Sequence, residues 1–133
     1  MAHEDERWQQ RFQNFEKTLL FLEEAIAINA PSIFEQAGLI QFFEISFELS
    51  WNVMKEYMEA QGITDLRSPR DSIKKAFEMG LINDGHLWIQ ALENRNLTSH
   101  TYDEARTKKI VSTIEHTYIH ILRDLCNKLK PKK

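Results

Sequence analysis

Apolar side chains recur along most of the chain in steps of three and four. Trp8, Phe12, Phe15, Leu19, Leu22 and Ile26 form one such stripe between Glu6 and Ile28, which is the spacing of an amphipathic helix. Asn29-Ala30-Pro31-Ser32 interrupts it, and the pattern resumes with Ile40, Phe43, Phe47, Trp51, Met54 and Met58 until Gly62, a residue suited to ending a helix. The two segments predict an antiparallel helical pair. Ser68-Pro69-Arg70-Asp71 reads as the start of a third, short helix closing at Gly80. Ser68 caps it, and Pro69 occupies the first helical position, where its missing N–H costs nothing. A fourth helix is predicted from Asp84 to Leu97, with Leu87, Trp88, Ala91 and Leu92 facing inward. Thr101-Tyr102-Asp103-Glu104 fits the S/T-x-x-E capping box. A fifth helix is therefore predicted from Thr101, burying Val111, Ile114, Tyr118, Ile121 and Leu125, before a basic tail from Leu129 to Lys133.

Punctuation is sparse, with four Gly and three Pro in 133 residues, too few turn formers for a sandwich or barrel of short strands. The expected fold class is all-α: an up-and-down antiparallel helical bundle with one short inserted helix. No repeat, low-complexity tract or linker divides the chain, so a single domain over residues 1–133 is expected. The composition, 42% hydrophobic and 28% charged, is that of an ordinary globular protein. A net charge of −3 offers no global positive field to hold nucleic acid, so any RNA contact has to be local. Cys126 is the single cysteine and can form no intramolecular disulfide, and the acidic start His3-Glu4-Asp5-Glu6 is unlike a signal peptide. Both features point to the cytoplasm. The richest apolar stretch, Phe42 to Met58, is broken by Glu44, Glu48 and Lys55, so no membrane association is expected.

Candidate chemistry centres on Arg95-Asn96-Leu97-Thr98-Ser99-His100-Thr101-Tyr102. On one continuous helix Arg95 and His100 would point about 140° apart. They converge only if the helix breaks between them, and the predicted capping box supplies such a break. Arg95 then lies in the last turn of one helix and His100 just before the next, whose N-terminal amides attract phosphate. An arginine can hold a phosphate through two hydrogen bonds, and an imidazole moves protons near neutral pH. Together they are suited to cutting RNA without a metal: His100 takes the proton of the ribose 2′-hydroxyl, and Arg95 stabilises the pentacoordinate phosphate. On spacing alone a plainer reading stays open, with Arg95 in an interhelical salt bridge and His100 satisfying a cap.

The longer stretch resembles the R-x-x-x-x-H-x-Y signature of HEPN domains (higher eukaryotes and prokaryotes nucleotide-binding). Beyond it, Phe47-Glu48-Leu49-Ser50-Trp51, Ser68-Pro69-Arg70-Asp71, Ala76-Phe77, Gly80-Leu81-Ile82 and Trp88 are similar to the bacterial nucleotidyltransferase substrate-binding proteins, a likeness running from Trp8 to Leu125. The resemblance implies a helical homodimer acting beside a minimal nucleotidyltransferase, with the Arg95 and His100 residues of two subunits facing a shared cleft. In related toxin–antitoxin pairs the HEPN protein is a metal-independent ribonuclease, and its partner silences it by transferring AMP to the motif tyrosine, here Tyr102. Asn96, next to Arg95, takes a supporting place in this reading. The alternative carried by the subfamily is a non-catalytic subunit that presents substrate to the nucleotidyltransferase. RNA or a nucleotide in the dimer cleft is the expected ligand, with no cofactor and no metal site.

Other groups weigh less. His116, His120 and Asp124 are spaced as metal ligands along one helix face, but a solvated stripe explains them as well. Glu44 and Glu48 share a face inside an apolar helix, either as a carboxylate pair with raised pKa values or as partners of an arginine. Trp51 and Trp88 can stack on a base or fill the core. Arg67, Arg70, Lys74 and Lys75, with Arg106, Lys108 and Lys109, can guide RNA or merely balance the acidic helices. The aromatic load on the helix stripes exceeds what one small inserted helix can cover, which also points to a homodimer.

Overall fold

The structure, a computed structural model, describes residues 2–98 and 103–130, with side chains described for residues 7–95 and 103–130. Helices α1 (Ala2–Ile26) and α2 (Ile33–Ala60) are the two longest. Short helix α3 (Pro69–Glu78) and α4 (Gly85–Thr98) follow. The last rod comprises α5 (Glu104–Thr113), a π-helical turn (Ile114–Tyr118) and α6 (Ile119–Leu129). Among the described residues there is no strand, and the fold is the expected all-α bundle.

Local chemistry accounts for most boundaries. Ser32 and Glu35 form a reciprocal capping box that starts α2, and Gly62, at φ +93°, lies just past its C-cap Gln61. Ser68 accepts from the Asp71 amide with Pro69 in the first turn of α3. Asp84 accepts from the Leu87 amide at the start of α4. One boundary differs from expectation. Helix α5 begins at Glu104, and its cap is Asp103, whose carboxylate accepts from the amides of Ala105 and Arg106 at 3.0 and 3.2 Å. The Thr101 capping box gives way to this cap, while Thr101 itself lies outside the described residues.

Helices α1 and α2 run antiparallel. Trp8 packs edge-on against Tyr57 at one end, with ring centroids 5.1 Å apart, and Phe21 against Phe42 at the other, 5.7 Å apart. Between them Glu56, only 7% exposed, takes a hydrogen bond from Arg11 and lies 3.9 Å from the Arg7 guanidinium. A carboxylate this buried needs such cationic company. Helix α6 returns along α1, tied by the two-pronged Arg123–Glu23 pair and by Lys130 at 3.5 Å from Glu16. The stripes named from the sequence fill the centre: Phe12, Phe15, Leu19, Leu22, Phe43, Phe47, Met54 and Met58 are buried. Each contributes roughly 1.5–3 kcal/mol through lost water contact. Trp88 carries α4 into the same core, its ring 5.6 Å from Phe47. No described helix is long and apolar enough to cross a membrane.

Candidate functional site

Arg95 is in the last described turn of α4. Two sets of contacts register that turn. On the core side, the Tyr118 hydroxyl accepts from the Asn94 amide and donates to Gln90 Oε1 at 3.2 Å. Both partners lie on α4, so the buried tyrosine has its donor and acceptor satisfied by one helix face. Tyr118 is the last residue of the π-helical turn in the final rod. Burial pushes the Tyr118 hydroxyl above its ordinary pKa, a shift that the Asn94 bond partly offsets and the charge of Glu93 reinforces.

On the outer side, Arg95 Nη1 donates to Glu48 Oε2 at 2.5 Å. The same oxygen accepts from the Trp51 indole Nε1 at 3.2 Å. Of the two roles open to the Glu44–Glu48 pair, Glu48 thus takes that of an arginine partner. The arginine side chain is 25% exposed and the glutamate 47%, so the ion pair sits at the surface with its cationic half turned inward.

Beyond Thr98 the motif continues through His100 and Tyr102, which lie outside the described residues, as does the side chain of Asn96. Of the expected site residues, Arg95 alone therefore has a described environment. The described start of α5 does alter one expectation. Two of its first amides are already satisfied by Asp103, so an anionic carboxylate occupies the helix end that was expected to receive phosphate. The first described turn of α5 also begins beyond Tyr102 in sequence, not at it.

The remaining groups take the plainer roles. His116, His120 and Asp124 are exposed along the last rod. Trp88 is core, and Trp51 is half-buried with its indole on Glu48. Arg67 pairs with Asp65 at 3.5 Å and Lys75 with Glu78 at 3.4 Å, while Arg70 and Lys74 are exposed. Sequence reasoning placed Tyr118 among the core stripe and missed its polar contacts. The signal for them, Gln90 and Asn94 one turn apart on α4, is legible only when the opposing residue is known.

The chain matches the family described as nucleotidyltransferase substrate binding protein like over residues 10–131. The chain belongs to that family. It is similar to known proteins in both sequence and fold. A relative from Haemophilus influenzae named "Probable ribonuclease HepT" is 35% identical over 92 residues, covering 64% of this chain. The chain spans 63% of that relative's length. A crystal structure of a Thermus thermophilus protein superposes with a TM-score of 0.80 at 31% identity, covering 88% of this chain and 99% of that one. A second structure, from Haemophilus influenzae, superposes with a TM-score of 0.68 at 27% identity over 95% and 98% of the two chains. It is described as revealing the fold of a substrate binding domain of a nucleotidyltransferase. In this member of the substrate-binding-protein-like family, the matched span takes in Arg95, Glu48 and the whole R-x-x-x-x-H-x-Y segment.

Proposed function

We propose that this protein is the HEPN subunit of a two-component system with a minimal nucleotidyltransferase, and that it is a metal-independent endoribonuclease acting as a cytoplasmic toxin. The observation carrying this reading is Arg95, held at the end of α4 by Glu48 directly before the segment bearing His100 and Tyr102. In the reaction His100 takes the proton of a ribose 2′-hydroxyl, the freed oxygen attacks the adjacent phosphorus, and the bond to the 5′ oxygen breaks. Arg95 offsets the charge that grows on the phosphate oxygens. The products are a 2′,3′-cyclic phosphate and a 5′-hydroxyl. Asn96 supports this arrangement, and transfer of a nucleotide to Tyr102 by the partner silences it.

The same reading takes the chain as a homodimer. Support comes from the outer face of α2, where Phe34 is 84% exposed and Ile45 41%, with Phe21 of α1 beside Phe42 at its edge. Ile45 lies one turn from Glu48 along the helix. A two-fold contact over this face brings two Arg95–Glu48 pairs to a common rim, as a shared cleft requires.

Purified protein is expected to cut single-stranded RNA in EDTA, and Arg95→Ala and His100→Ala each to abolish the cleavage. The substrate-binding character of the family and of the Haemophilus structure favours another reading, a non-catalytic subunit that presents substrate to the nucleotidyltransferase. A protein that leaves RNA intact yet binds the nucleotidyltransferase establishes that alternative and ends the ribonuclease reading.

A further inference from the structure

Helix α4 has an anchor that does not involve Arg95. Trp88 is 1% exposed in the core, and Gln90 and Asn94 are bonded to Tyr118. An additional ion pair whose carboxylate is half exposed adds little to stability, because water already solvates it well. Yet the Glu48 carboxylate is not a loosely held surface group. It joins α2 to α4 through residues 47 positions apart in sequence, and the indole of Trp51, one turn along α2, donates to the same oxygen that receives Arg95 Nη1. The indole and the guanidinium thus meet on one carboxylate oxygen.

We propose that Glu48 is a positioning residue, steadied by Trp51, that sets the orientation of the Arg95 guanidinium at the end of α4. This rests on the reading of Arg95 as the phosphate-binding group. Its charge gives the proposal a signature. Glu48 partly neutralises Arg95, so the pair binds phosphate less tightly than a lone arginine would, in exchange for a fixed geometry. Removing the carboxylate should therefore separate the two effects: substrate phosphate is held at least as tightly, while the transition state loses an aligned cation.

The test compares wild type, Glu48→Ala, Glu48→Gln and Trp51→Phe. With an RNA oligonucleotide in EDTA, Glu48→Ala is expected to lower kcat about 10- to 100-fold, the scale of a misplaced catalytic group, with KM unchanged or lower. Glu48→Gln keeps an acceptor oxygen and should recover much of kcat, with Trp51→Phe intermediate. Two measurements need no activity. In the NMR spectrum of nitrogen-labelled protein, the Nη–H signals of Arg95, assigned with Arg95→Lys, should be resolved in wild type and averaged in Glu48→Ala. Binding of an uncleavable 2′-O-methyl oligonucleotide should tighten in Glu48→Ala. A purely structural role predicts otherwise: a raised KM, weaker binding and a lower Tm together, and that result overturns the proposal. So do Arg95 signals that are unchanged in Glu48→Ala. If wild type cuts no RNA, the ribonuclease reading fails by itself, and the NMR and binding measurements still decide the role of Glu48.

Discussion

Tyr118 lies nearly parallel to Phe43, with ring centroids 5.5 Å apart and planes inclined by 17°. Its ring belongs to the core while its hydroxyl serves α4 through Asn94 and Gln90. One residue of the π-helical turn thus joins α2, α4 and the last rod, and its contact with Asn94 falls next to Arg95 in the chain. The stability of the bundle and the placement of the candidate site share this junction.

Tyr118→Phe keeps the stacking and removes the hydroxyl, leaving Asn94 to turn toward water. The expected cost is about 1 kcal/mol, read from urea denaturation near neutral pH. A pH dependence should accompany it. Burial raises the folded-state pKa of Tyr118 above its ordinary 10.0, so the unfolded chain gives up this proton first. The tyrosine's contribution is therefore complete below that ordinary value and declines as pH rises through it toward the higher folded pKa. Wild type should lose its advantage over Tyr118→Phe on going from about pH 9 to about pH 11. A difference that stays constant across this range would show that the hydroxyl is not the titrating group.

Cys126 is fully buried, and burial pushes its thiol up from its ordinary pKa, with Arg123 opposing the shift. A buried neutral thiol reacts only when the protein opens. Alkylation by iodoacetamide at neutral pH should accordingly track unfolding, rising steeply with denaturant. Fast stoichiometric labelling of the native protein would contradict the burial.

The apolar outer face of α2 should govern assembly. Light scattering of wild type at micromolar concentration is expected to give twice the 15.7 kDa chain mass. Phe34→Glu combined with Ile45→Lys should shift it to monomer with little loss of Tm, since both side chains are exposed in the single chain. A wild type that is monomeric throughout removes the shared cleft.

Tyr102 is tested by mass. Incubation with the nucleotidyltransferase partner, Mg²⁺ and ATP should add one or more AMP units, absent in Tyr102→Phe, and the modified protein should no longer cut RNA. Charge and bulk beside the motif are expected to exclude substrate phosphate. An unchanged mass with an active partner takes Tyr102 out of the mechanism.

The helices were legible because their determinants are local. Stripes such as Phe12-Phe15-Leu19-Leu22 repeat with the helical period, and Ser68-Pro69 and Gly62 carry their own start and stop chemistry. The start of α5 was less legible for the same reason: Thr101 and Asp103 are both residue types that cap helices well. In the fold Asp103 takes the amides. The π-helical turn left no mark in the spacing, since Ile114, Tyr118, Ile121 and Leu125 suit an unbroken α-helix equally well.

By itself the sequence determined the helical class, the order and approximate limits of the elements, and the family, because periodicity, caps and motif spacing act over a few neighbouring residues. Tertiary structure alone decided that Glu48 rather than solvent receives Arg95, and that the Tyr118 hydroxyl meets Asn94 and Gln90. Those pairs join residues 47, 24 and 28 positions apart. Their formation depends on the angle at which packed helices cross, a property of the buried surface as a whole that no local window of residues contains.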